Sequence, residues 1–75
     1  MTRRLPALTA RDVVRALQRF GFERQHQTGS HLILRHPQSG RKVAVPIHRG
    51  SLKRGTLFGI LRDAGVSQDE LRKLL

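Results

Sequence analysis

Gly29-Ser30-His31 sets a titratable imidazole directly after turn-forming residues and directly before an apolar stretch, Leu32-Ile33-Leu34. An imidazole exchanges a proton near neutral pH, because its ordinary pKa is ~6.5. Nearby in the chain stand Arg24, Arg35, Arg41, Lys42 and Arg49, all cations able to hold phosphate. A proton-transfer group inside an anion-attracting field points to a protein that grips a polyanion and cuts it. Gly29 permits a backbone conformation closed to other residues and is read as the turn that presents the ring; the Ser30 hydroxyl is the nearest group to orient it.

Those residues need elements to hold them. Thr9 with Asp12 three residues later forms a variant capping box, and Ala10, Val13, Val14, Leu17 and Phe20 recur at helical spacing behind it. The pattern predicts a helix over 10–20 that stops at Gly21. Arg11, Arg15 and Arg19 line another face of it, which reads as solvated. Phe22–Gln27 then reads as a strand, Thr28-Gly29-Ser30 as a turn and His31–His36 as the best strand of the chain. Pro37-Gln38-Ser39-Gly40 makes a second turn, and Arg41–Pro46 returns as a third strand with Val43 and Val45 facing one way. A loop, Pro46–Gly50, leads to a second helix over 53–64, with Leu57, Phe58, Ile60 and Leu61 as its buried side and Gly65 as its stop. Ser67 and Glu70 cap a short last helix. The order is α-β-β-β-α plus a small C-terminal helix. This predicts an α+β fold of the double-stranded-RNA-binding kind, a three-stranded antiparallel meander with helices packed on one face. In that arrangement the start of the second helix meets phosphates, and here it is rich in His48, Arg49, Lys53 and Arg54. The expected core is Val13, Leu17, Phe20, Leu32, Leu34, Val43, Val45, Leu57 and Leu61.

Composition narrows the chemistry. The chain has 75 residues, enough for one domain, and carries 15 Lys and Arg against 5 Asp and Glu, a formal net charge of +10. Arginine, whose planar fork matches phosphate in a bidentate way, supplies most of that charge. Such a field suits nucleic acid, an anionic surface or an acidic protein partner. No apolar run approaches the ~18 residues of a membrane span, and the Met1–Pro6 start shows no apolar leader segment, so a cytoplasmic protein is expected. With 0 Cys, disulfides, thiolate catalysis and Cys-type zinc sites are excluded. The four histidines do not make a metal site: His31 and His36 have opposite parity in one strand, and few carboxylates are present to complete a ligand set. His26 and His36 read as solvated strand residues.

Taken in order, Gly21-Phe22, Gly29-Ser30-His31, Val45-Pro46-Ile47-His48, Lys53-Arg54-Gly55-Thr56-Leu57, Ile60-Leu61 and Ala64-Gly65-Val66 resemble the HicA family of small toxins. The resemblance runs from about Leu5 to Leu71, and any one piece of it alone would be a weak signal. It implies a single HicA-like domain over 1–75 and a metal-independent mRNA interferase of a toxin–antitoxin system. It also implies mRNA as substrate, a HicB-type antitoxin as hetero-oligomeric partner, no small-molecule cofactor, and His31 as the essential histidine. The Arg11, Arg15 and Arg19 face then gains a second use, docking against an acidic antitoxin.

Metal-independent cleavage of RNA uses the 2′-hydroxyl against its neighbouring phosphate. It needs a base for the hydroxyl proton, an acid for the leaving oxygen and cations for the phosphorane. His31 suits the first or second task. His48 is the natural second candidate, and Arg24 or Lys53 could steady the phosphorane. Arg24, Arg35, Arg49, Lys53 and Arg54 are the expected RNA contacts. The rival from another class is a non-catalytic RNA-binding module sharing the same fold and charge. A DNA-binding reading is weaker, since no helix-turn-helix pattern is present.

Overall fold

A computed structural model describes residues 5–75, so part of the leader-free reading of the N-terminus, and of the 1–75 domain span, lies outside the described residues. The elements are α1 (Ala10–Arg19), β1 (Glu23–Thr28), β2 (His31–Arg35), β3 (Lys42–Pro46), α2 (Arg54–Ala64) and α3 (Gln68–Lys73). The strands form one antiparallel sheet in the order β1-β2-β3, giving the α+β, double-stranded-RNA-binding-like arrangement.

Local chemistry sets the helix ends. The Thr9 hydroxyl accepts from the Asp12 N–H at 3.2 Å while the Asp12 carboxylate accepts from the Thr9 N–H at 3.0 Å, a reciprocal cap that opens α1. Ser67 and Glu70 repeat the device at α3, at 3.0 and 2.9 Å. Hydrogen bonds from the Thr9 and Ser67 backbones hold the Asp12 and Glu70 carboxyls below their ordinary values. α2 closes on Gly65, whose φ of 71° lies in the left-handed region that glycine adopts without strain. The Arg41 guanidinium donates to the Asp63 carbonyl at 3.2 Å, covering one of the last carbonyls of α2.

The alternation of β2 and β3 decides where the core sits. Leu32 and Leu34 of β2 and Val43 and Val45 of β3 are buried on the face covered by α1 and α2, both of which pack against β3. Leu5, Leu8, Val13, Leu17, Leu57, Ile60, Leu61 and Leu71 complete the same cluster. β1, the outer strand beside β2, is polar and exposed along its whole length. Its register shifts between Arg24 and His26, so a bulge and charged side chains blunt this open edge.

The phenylalanines depart from expectation. Phe22 is buried, Phe20 is half-buried against the core, and Phe58 is 36% exposed rather than part of the buried side of α2. Leu57, Ile60, Leu61 and Ala64 follow an i, i+3, i+4, i+7 stripe, and Phe58 stands one residue, or 100°, off it.

Candidate active site

His31 is delivered by a two-residue hairpin. Thr28 pairs with His31, and Gly29 and Ser30 make the connection. Gly29 has φ of 55° and no non-glycine described residue has positive φ. A positive first turn residue followed by a negative one is the II′ pattern, whose twist matches that of the flanking strands. The imidazole is exposed, and among the described residues its hydrogen-bonding neighbour is the Ser30 hydroxyl, 3.5 Å from Nδ1, at the long end of hydrogen-bonding distance.

The loop after β3 is tied to the same end of the sheet. Pro46 pairs with His31, and the Ile47 N–H donates to the Ser30 carbonyl at 2.6 Å. His48 follows within at most ~7 Å of chain from Pro46. Its Nδ1 lies 3.0 Å from the Arg49 carbonyl, an oxygen that only accepts, so Nδ1 carries the proton and Nε2 is left for other partners. Gly29, Ser30, His31, Ile47, His48 and Arg49 thus share one end of the molecule.

The remaining candidates divide. Lys53 is exposed at the N-cap of α2, which has no side-chain cap. Arg54 is also exposed, but its guanidinium donates to the Leu5 carbonyl at 3.3 Å. The Leu52 N–H donates to the Leu8 carbonyl at 2.7 Å, so the starts of α1 and α2 are laced together. Arg35 and Lys42 pair with each other four residues along the strands from His31, about 13 Å away by strand rise. Arg41, counted at first among the phosphate holders, sits at the C-terminus of α2 instead.

Arg24 points to the helix side of the sheet, in register with buried Leu34. There it helps line a groove of about 560 Å³ between α1 and β1, together with Arg11, Arg15, His48 and Arg49. Arg11 and Arg15 read from the sequence as a solvated helix face or an antitoxin-docking face, not as part of a groove with Arg24 and Arg49. Their i, i+4 spacing was the available signal, but the meeting of that face with Arg24 of β1 and the loop after β3, which makes it one wall of a groove, is a tertiary fact.

His36 is not a solvated strand residue. The backbone N–H groups of Gln38 and Ser39 both donate to its Nδ1 at 3.3 Å, so the ring proton sits on Nε2 and is donated to the Phe20 carbonyl at 3.1 Å. Its ring meets Phe22 edge-on at 5.1 Å between centroids. Among the described residues, no group of three or more His, Cys, Asp or Glu could hold a metal ion, and no helix is long and apolar enough to cross a membrane.

Comparison with curated proteins finds no match. The family model described as "HicA toxin of bacterial toxin-antitoxin" matches residues 10–66. That match starts with α1, takes in the whole sheet with the His31 hairpin and the basic approach to α2, and ends just past the α2 stop. The chain therefore belongs to the HicA toxins of bacterial toxin–antitoxin systems, a family that works against an antitoxin partner.

Proposed function

We propose that this toxin is an endoribonuclease of a type II system, cutting cytoplasmic mRNA with His31 as its catalytic residue. The observation that carries the reading is the contrast in the setting of His31. It is exposed at a hairpin end beside an arginine-bearing loop, in a chain whose net charge of +10 concentrates RNA. A histidine held open in this way is placed to meet a substrate.

The chemistry follows from RNA itself. His31 takes the proton of a 2′-hydroxyl as its oxygen forms a bond to the adjacent phosphorus, and the bond from phosphorus to the 5′-oxygen breaks. His48 in its imidazolium form, with Nδ1–H kept on the Arg49 carbonyl and a second proton on Nε2, is the candidate donor of that Nε2 proton to the leaving oxygen. The products are a 2′,3′-cyclic phosphate and a free 5′-hydroxyl. A positioned acid or base contributes ~10²–10⁴-fold. Ser30 orients the His31 ring, Gly29 sets the turn, and Arg24, Arg49 and Lys53 supply charge to the phosphates. Arg35 and Arg54 are placed less directly, the first along the strand from His31 and the second partly engaged with the Leu5 carbonyl. A HicB-type antitoxin would silence the site by forming a hetero-oligomer over it.

The test is incubation of the purified protein with end-labelled RNA in EDTA. Cleavage leaving cyclic phosphate ends is the expected result. RNA that is bound and released intact would instead assign the chain to non-catalytic RNA-binding modules.

A further inference from the structure

Of the groove between α1 and β1, the nuclease reading uses Arg24, His48 and Arg49 but leaves Arg11, Arg15 and the apolar floor without a role. Among the described residues, its walls bring together four guanidiniums, Arg11 and Arg15 from α1, Arg24 from β1 and Arg49 from the loop after β3, and no carboxylate lines it. Asp12, next to Arg11 in sequence, is held in the cap with Thr9 while feeling the charges of Arg15 and Arg11, and Glu23, next to Arg24, is exposed on β1. The apolar lining comes from Val14 and Leu32, both buried, and from Ile47, 37% exposed. Four like charges converge on an open groove and outnumber the neighbouring Asp12 carboxylate, which makes an anion the natural occupant.

Size and shape narrow that anion. A volume of about 560 Å³ falls within the range of small-molecule sites, and a helix 10–12 Å across would fill it with about one turn. One nucleotide of an unpaired strand matches both halves of the lining: its phosphate meets the guanidinium forks and its base lies on the apolar floor or stacks on an arginine plane. The Ile47–Arg49 loop forms one wall of the groove, and its Ile47 N–H is bonded to the Ser30 carbonyl, one residue before His31. A strand crossing this loop would run from the groove to the exposed imidazole.

We infer that the α1–β1 groove is a nucleotide subsite for single-stranded RNA, in which Arg11 and Arg15 hold a phosphate flanking the one that faces His31. This inference rests on the RNA reading of the protein but not on cleavage. It makes Arg11 and Arg15 substrate-binding residues, and it makes the substrate an unpaired strand despite the double-stranded-RNA-binding-like topology.

The test measures the affinity of a labelled single-stranded oligouridine across a salt series, in the H31A background so that no cutting intervenes. Losing the one phosphate that both guanidiniums hold, R11A/R15A should lower affinity and flatten the slope of log affinity against log salt by ~0.7. R62A/K73A removes the same charge at exposed positions outside the groove and should alter the slope much less. R11K/R15K, which keeps the charge but loses the fork, should retain the slope while weakening binding. An oligomer of abasic ribose phosphate should bind the H31A protein more weakly than oligouridine. Equal slopes for R11A/R15A and R62A/K73A would overturn the inference. So would unchanged RNA affinity with loss of antitoxin binding, which would make the groove a protein interface. If the wild type never cuts RNA yet R11A/R15A flattens the slope, the subsite stands and the nuclease reading falls.

Discussion

His31 opens β2 and His36 follows its last residue, so one short strand separates two imidazoles in opposite circumstances. His36 is half-buried, receives two backbone N–H donors, donates to the Phe20 carbonyl and rests on the edge of Phe22. His31 is exposed, with the Ser30 hydroxyl at 3.5 Å as its polar neighbour. One ring has its bonding capacity consumed by the fold; the other has it left over. Residue type says nothing about which is which. The turns decide it: a two-residue hairpin projects His31, whereas the longer β2–β3 connection folds back onto His36, with the Gly40 N–H donating to the His36 carbonyl at 2.8 Å.

The comparison can be broken most forcefully at the structural end. His36→Ala removes three hydrogen bonds and an aromatic edge contact, and should cost about 1–3 kcal/mol. In a domain of this size each 1 kcal/mol lowers Tm by ~4–8 °C, readable in a thermal melt, while cleavage per folded molecule should survive. Gly21→Ala attacks the same clamp from the other side. Its φ is 100°, and an added Cβ would lie 2.9 Å from His36 Nε2, so about 1–2 kcal/mol or more should be lost. A melt of Gly21→Ala matching the wild type would remove the clamp from the account.

At the His31 end the expected stability effects are smaller. Gly29→Ala meets no steric obstacle, since among the described residues no heavy atom beyond its chain neighbours lies within 4 Å of the added Cβ, but its φ of 55° costs about 1 kcal/mol in a non-glycine residue. Because the strain falls on the turn that presents His31, cleavage should fall by more than the melt alone would suggest. A variant with full cleavage would show that the hairpin geometry is not needed for presentation.

The smallest effect concerns neither histidine and serves as a baseline for both. The Asp12 and Glu70 carboxyls have folded pKa values below their ordinary 3.8 and 4.5, so each contributes stability that is fully present above those values. That contribution is lost as pH falls through the folded values, because protonation removes the charged acceptor from each cap. Tm should therefore decline slightly as pH is lowered from about 5 towards 3. In D12N/E70Q this part of the decline should be absent.

Much of the fold was legible because local chemistry and periodicity agree. Both capping boxes, the alternating Leu32, Leu34, Val43 and Val45, and the two turns around β2 stand in the structure where their residues imply them. What was not legible depends on long-range contact. Phe58 belongs to an apolar cluster in sequence but stands off the packed stripe. His36 acquires its role from Phe20, sixteen residues earlier. Arg41 and Arg54 read as phosphate holders, and each also reaches a main-chain carbonyl, of Asp63 and Leu5 respectively, that only the folded chain brings near. The groove of Arg11, Arg15, Arg24 and Arg49 joins three segments separated in sequence, and charge counting alone could not assemble it.

The central claim is that the His31 ring is spare to the fold and required by the chemistry. It is tested most directly by measuring RNA cleavage in EDTA and the thermal midpoint on one preparation of the H31A protein. Cleavage should drop by ~10²–10⁴-fold while the midpoint stays within the small shift of an exposed surface substitution. Retained cleavage, or a melt depressed as far as that of His36→Ala, would contradict it.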